Sequence, residues 1–183
     1  MKKHLLHIGF ATLLCVTGLR AHNLNRNPFY ANVSLIKSFP SWSGVKGGYG
    51  IGAAFGADVW IHYAEIEVMY LMHRMDYSNS SLTLVPALIT YRHEIPFERI
   101  FLNGSLWGIQ FGGSAGFAVQ KWKIPDRSNT KMVAAFAGQA LLVYHFGDEG
   151  LMNAGIKALW TDKGSLRKSG VDILFFVGGS IRF

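Results

Sequence analysis

Charge is scarce in this chain of 183 residues: Asp, Glu, Lys and Arg together make up 16%, against roughly a quarter in ordinary soluble domains. Half of the residues are hydrophobic and 14% are aromatic, so the shortage of charge does not signal disorder. Long apolar runs are also missing. Past the first 20 residues nothing approaches the roughly 18 uninterrupted apolar residues of a spanning helix, the longest candidate being Leu84-Val85-Pro86-Ala87-Leu88-Ile89. A helical membrane bundle is thereby excluded. Cysteine is nearly absent too. Cys15 is the only one, and it lies in a segment expected to be removed, which leaves the mature chain without disulfides or thiolate chemistry.

What the chain does have begins with its N-terminus. Lys2 and Lys3 form a basic start, Leu5 to Leu19 is mostly apolar, and Leu19-Arg20-Ala21 offers a small residue at a cleavage point. This is the layout of a secretory signal peptide, predicted over residues 1–21, with one mature domain from His22 to Phe183. Removal of Lys2, Lys3 and Arg20 lowers the formal net charge from +7 by three, to +4. The remaining cations fall between apolar segments rather than along one face, so nucleic acid is not an expected partner.

From Phe29 onward the chain is rich in glycine, with 21, and in phenylalanine, with 13, and it alternates with a period of two. Met152, Ala154, Ile156, Ala158 and Trp160 share one face, opposed by Asn153, Gly155, Lys157 and Thr161. Val171, Ile173, Phe175, Val177, Ile181 and Phe183 oppose Asp172, Gly178, Ser180 and Arg182 in the same way. Such alternation predicts strands at about 29–38, 49–58, 62–75, 82–93, 105–121, 131–146, 151–161 and 170–183.

Three features favour a membrane barrel over a soluble sandwich. The polar face is crowded with Gly, Ala and Ser, as a narrow interior requires. Aromatic residues such as Tyr49, Tyr91, Trp107, Tyr144, Trp160 and Phe183 gather near segment ends, as interfacial girdles do. The odd connections are mostly longer than the even ones, the asymmetry of outer loops and periplasmic turns. Lys46, Lys121, Lys123, Arg127, Lys163, Arg167 and Lys168 lie in or beside the odd connections, together with Lys131, whereas Asp58, Glu94, Glu98, Asp148 and Glu149 mark the even ones. Basic outer loops would face anionic headgroups, each cation contributing on the order of 1 kcal/mol.

The signal peptide, eight alternating strands and the closing Gly178-Gly179-Ser180-Ile181-Arg182-Phe183 resemble the small Gram-negative outer-membrane β-barrels of the outer membrane protein A/X type. The resemblance covers the whole mature chain. It implies an all-β, eight-stranded antiparallel transmembrane barrel in the bacterial outer membrane, in contact with outer-membrane lipid and lipopolysaccharide. It also implies that Ile181 and Phe183 on the last strand are read by the barrel assembly machinery. A monomer is expected, with no cofactor, no metal and no further domain after Phe183.

Five residues are candidates for the barrel interior. Glu65 and Glu67 share the inward face of the third segment, and Arg92, Lys157 and Arg182 point inward by alternation. A turn near Asn79 would set Arg92 across from the two glutamates. In a narrow lumen these charges form a salt-bridge plug more readily than an acid–base dyad, because an unpaired interior charge costs several kcal/mol. Catalysis is not expected. The resemblance brings in a lipid A deacylase with serine, histidine and acid, but His73 stands five residues from Ser78, whereas that family sets the two residues two apart. His62, His73, His93 and His145 lie in separate segments without ligand spacing. Gly108, Gly112, Gly113 and Gly116 lack the following helix that a nucleotide loop needs. The expected role is structural or surface interaction: membrane integrity, adhesion or lipopolysaccharide contact. The alternatives are a narrow porin-like channel, which needs an open lumen, and a lipid A-modifying enzyme, which needs a Ser/His/acid group at the rim.

Overall fold

In the computed structural model, residues 28–59, 61–76, 79–97, 106–125, 127–146, 149–163 and 169–183 are described. The predicted signal peptide and the expected start at His22 lie outside them, as do Arg167 and Lys168. The elements are β1 (Phe29–Pro40), β2 (Val45–Val59), β3 (His62–Met75), β4 (Ser81–Pro96), β5 (Trp107–Ile124), β6 (Arg127–Phe146), β7 (Gly150–Thr161) and β8 (Gly170–Arg182). Each strand pairs antiparallel with its neighbours in sequence, and β8 pairs with β1, closing a barrel.

The stagger of that closure can be followed residue by residue. Phe39 pairs with Ile173, and the chain of partners runs on through Ala158, Gly138, Gly113, Tyr91, Ala64 and Ala57 to Phe29. One circuit therefore returns to β1 displaced from residue 39 to residue 29, a shear of ten. Eight strands with this stagger tilt by about 40° and enclose a space that side chains can fill.

The upper rim, which carries the β1–β2, β3–β4, β5–β6 and β7–β8 connections, differs from the expected loops in two places. β2 begins at Val45, so the first connection shrinks to residues 41–44. There Gly44 adopts a φ of 79°, a left-handed backbone that glycine takes without a Cβ clash. β5 and β6 stay paired to Ile124 and Arg127, so Lys121, Lys123 and Arg127 sit on a projecting hairpin rather than in a loose loop. β7 joins this hairpin only from Thr161, opposite Ala135. At the β3–β4 turn Asn79 has a φ of 61°, a region that asparagine tolerates better than most residues.

Alternation puts apolar side chains on the outside. Leu35 is 70% exposed and Ile89 72%, with Ile51, Ile66, Phe117, Phe136 and Val177 in the same belt. A surface this apolar is the reverse of a water-soluble domain. Aromatic contacts edge the belt below, where Phe29 stacks on Phe55 at 6.2 Å and Trp107 meets Tyr144 at 4.8 Å. Above, Phe39 meets Phe175 and Phe136 meets Trp160, both at 5.6 Å.

The core is the barrel's inside. β2 turns Gly48, Gly50, Gly52, Ala54 and Gly56 inward, and the large inward side chains of β3 lie across this bare strand. A Cβ on Gly50 would stand 2.6 Å from the Leu71 side chain and closer still to the Tyr70 carbonyl. The small inward face foreseen from the sequence is thus a property of β2 and part of β5. Elsewhere the upper interior is filled by Leu71, Leu82, Leu84, Leu88, Leu159 and Leu174 with Met69 and Ile36.

Candidate functional site: a filled lumen under a basic rim

Glu65, Glu67, Arg92, Lys157 and Arg182 all point inward and are buried, but they do not form one cluster. In the β3–β4 register Arg92 stands opposite Tyr63, and Glu65 stands opposite Thr90, so Arg92 is not directly across from the glutamates. It reaches diagonally, and its Nη2 donates to Glu65 Oε2 at 2.7 Å and to the Tyr30 hydroxyl at 3.1 Å. Tyr30 in turn donates to the same carboxylate at 2.8 Å. Glu67 is served from the far wall: Lys157 Nζ on β7 donates to both of its oxygens, at 2.6 Å to Oε1. Thr90 adds a bond at 3.3 Å. Arg182 pairs with Asp58 at 2.7 Å, a residue that the sequence had assigned to a turn.

Two further buried carboxylates belong to this interior. Glu94 on β4 accepts from the Tyr63 hydroxyl at 2.5 Å and from Gln110 at 2.9 Å, and it lies 2.7 Å from His145 Nε2. His145 turns inward to meet it. Asp172 on β8 lies at the upper end, where Ser38 donates to its Oδ1 at 2.5 Å and His73 Nε2 is 2.9 Å from its Oδ2. Burying five carboxylates is tolerable only because each has a cation, imidazole or hydroxyl in reach.

Ser38, His73 and Asp172 are the residue types of a hydrolase triad, assembled from β1, β3 and β8, and sequence spacing gave no hint of them. Their geometry is not that of a relay. A triad histidine receives the serine on one ring nitrogen and the acid on the other. Here both meet Nε2, with Ser38 Oγ at 2.6 Å, and Nδ1 has no hydrogen-bond partner among the described residues. Ser38 has no solvent exposure. Trp42, in the first connection, closes over this group with its ring edge-on to His73 at 6.5 Å. Ser41 holds that connection to β8 through a backbone bond to the Val171 carbonyl at 2.8 Å.

The lumen is therefore occupied in tiers. Trp42 and the leucines fill the upper part, and the Glu67–Lys157 and Glu65–Arg92 pairs cross the middle. Tyr30, Tyr63, Leu141, Val143 and Leu151 pack below them. The upper rim is different in kind. Lys46, Lys121, Lys123, Arg127, Lys131 and Lys163 are exposed there. Among the described residues Asp76, 3.3 Å from Lys46, and Asp162 are the carboxylates near them. At the opposite end Ile181 is 66% exposed and Phe183 57%, both facing out, with the Phe183 ring 6.0 Å from Phe55.

These features define a transmembrane β-barrel of eight strands, apolar outside and closed within. No protein-family model matches the sequence, and no curated protein sequence matches it. Solved structures do match. Neisserial surface protein A is 12% identical with a TM-score of 0.70, over 85% of this chain and 97% of that one. Ail, the attachment invasion locus protein of Yersinia pestis, in complex with the heparin analogue sucrose octasulfate, is 11% identical with a TM-score of 0.59, over 86% and 99%. The outer membrane protein OprG from Pseudomonas aeruginosa is 14% identical with a TM-score of 0.56, over 86% and 96%. The chain has the fold of the small eight-stranded outer-membrane barrels.

Proposed function

We propose that the chain spans the bacterial outer membrane as a monomeric, non-conducting and non-enzymatic barrel, and acts at the cell surface by engaging anionic groups through its basic upper rim. The carrying observation is the contrast between a lumen filled by paired charges and leucines and a rim where, among the described residues, exposed cations outnumber carboxylates. A filled lumen leaves the rim as the part that meets partners. Lipopolysaccharide phosphates and the sulfated or phosphorylated groups of another cell's surface share the chemistry such a rim attracts. The Yersinia pestis protein of the same fold, solved with a heparin analogue, supports the reading. The single-nitrogen arrangement of Ser38, His73 and Asp172 supports a structural role for that group. The belt and girdles suit a bilayer, and outward Ile181 and Phe183 suit recognition by the assembly machinery.

The experiment combines conductance with binding. Purified barrel in planar bilayers is expected to pass little current. On immobilised heparin and on lipopolysaccharide vesicles it is expected to bind, with retention falling as salt screens the rim. Replacing Lys121, Lys123 and Arg127 together by Gln should abolish most of that retention. Large, steady single-channel currents would replace this reading with the porin-like channel. Binding unchanged by the triple substitution would remove the rim from the function.

A further inference from the structure

Two histidines 31 residues apart meet on the outer wall at the lower rim, at the end of the β3–β4 hairpin. His62 and His93 are direct partners in the ladder, and both rings point outward. Their Nδ1 atoms are 3.5 Å apart and their ring centroids 5.0 Å apart. We propose that His62 and His93 form a two-imidazole binding site for a borderline divalent cation, zinc or copper(II).

The spacing carries the argument. Two nitrogens bound to one tetrahedral zinc at about 2.0–2.1 Å each lie about 3.4 Å from one another. The two Nδ1 atoms already stand at that separation, so an ion can bridge them with small ring rotations and no backbone movement. Cross-strand partners on a closed barrel are held more firmly than neighbours on a loop, which makes the pair a preorganised chelate. Tyr91 adds orientation. Its hydroxyl lies 2.6 Å from His62 Nδ1, and its ring stacks on the same imidazole at 6.0 Å and 25°. This fixes the plane of His62; the bond occupies the ligating nitrogen until an ion displaces it, and the freed hydroxyl then lies close enough to bond a metal-bound water. The outward neighbours Ala64, Ile95 and Phe111 bring no cation to compete.

Donor chemistry selects the ion. Imidazole nitrogen suits zinc and copper(II), whereas magnesium and calcium require oxygen. Among the described residues no group of three His, Cys, Asp or Glu surrounds a common point. Among the described residues the site is therefore bidentate, with its remaining positions left to water, the pattern of an exchangeable site rather than a structural one. Both ligands must be neutral, so protons compete with the metal and acidification releases it.

The test uses the full mature barrel without a histidine tag, folded in detergent micelles, with folding checked by heat-modifiable gel migration. Titration with zinc chloride and copper(II) chloride in a calorimeter should show one ion per chain at neutral pH, with uptake falling on acidification as protons compete for the ligands. Magnesium chloride should give no signal. Losing a direct ligand costs more than losing a supporting one, for which 10–100-fold is usual. His62→Ala and His93→Ala should therefore each weaken binding at least about tenfold while leaving gel migration unchanged. The copper(II) spectrum should report two nitrogen ligands in the wild type and fewer in either variant. Absence of zinc and copper uptake by the wild type, or uptake by both variants equal to wild type, overturns the proposal. Neither result touches the rim-binding reading, which depends on the opposite end of the barrel.

Discussion

Lys157 shows how a residue this polar comes to be one of the most deeply buried in the molecule. Its ammonium lies against both oxygens of Glu67, with the ring centre of Phe176 5.8 Å from Nζ. Removing one partner strands the other's charge, at a cost of about 3–5 kcal/mol. Lys157→Met and Glu67→Gln are each expected to lower urea stability in micelles by an amount in that range. The double variant should lose less than the sum, the mark of direct coupling. Alternation was enough to turn Glu65, Glu67, Arg92, Lys157 and Arg182 inward, but not to match them. Partners such as Lys157 and Glu67 sit on opposite walls, and only the closed register brings them together. Asp58 and Glu94 share the parity of Gly56 and Arg92, a signal that pointed inward. Their places near strand ends made them pass for turn charges.

Strands were the most legible elements, because a barrel that is apolar outside and small or polar inside writes its period directly into the chain. The exception is the run from Leu82 to Ile89, apolar on both faces, where alternation carries no information about which side is the core. Leu82, Leu84 and Leu88 are buried there and Ile89 faces out, so the leucine tier could not be read in advance. Hairpin length was also hidden, since polar residues past the belt look alike whether paired or looped. The β5–β6 hairpin stands clear of β7 above Ala135, and Trp122, which packs on the leucine tier and donates to Met75 Sδ at 2.8 Å, is its last tie to the core. Replacing residues 123–128 with a two-residue Asn-Gly turn, which keeps the Trp122–Asn129 pair, is expected to leave heat-modifiable folding intact and to reduce heparin retention. In contrast, Gly50→Val on β2 would drive a branched side chain into Leu71 and the Tyr70 carbonyl. Overpacking of this kind costs about 1–3 kcal/mol, and a lower urea midpoint would register it.

At the scale of the whole barrel, the two-tier filling separates stability from permeation. Arg92→Ala is expected to destabilise the barrel by leaving Glu65 without its guanidinium, yet planar-bilayer currents should stay small, because the leucines above remain packed. Current should rise only when Leu84 and Leu88 are also cut to alanine, and a rise in Arg92→Ala alone would mean that the upper tier does not seal. Deleting Phe183 should lower the folded fraction on unboiled gels while preserving the interior pairs of whatever does fold. The β1–β8 ladder that closes the sheet has a consequence for the order of assembly. Seven ladders join strands adjacent in sequence, but this one ties residues such as Asn32 and Ser180, 148 positions apart, so its loop-closure entropy is the largest and it is expected to form last. Until it does, Arg182 on the last strand cannot meet Asp58 on the second, and the wall that carries Lys157 is free to swing away from Glu67. The Arg182–Asp58 and Lys157–Glu67 pairs are thus completed by closure, whereas Glu65–Arg92 joins neighbouring strands and is available before it.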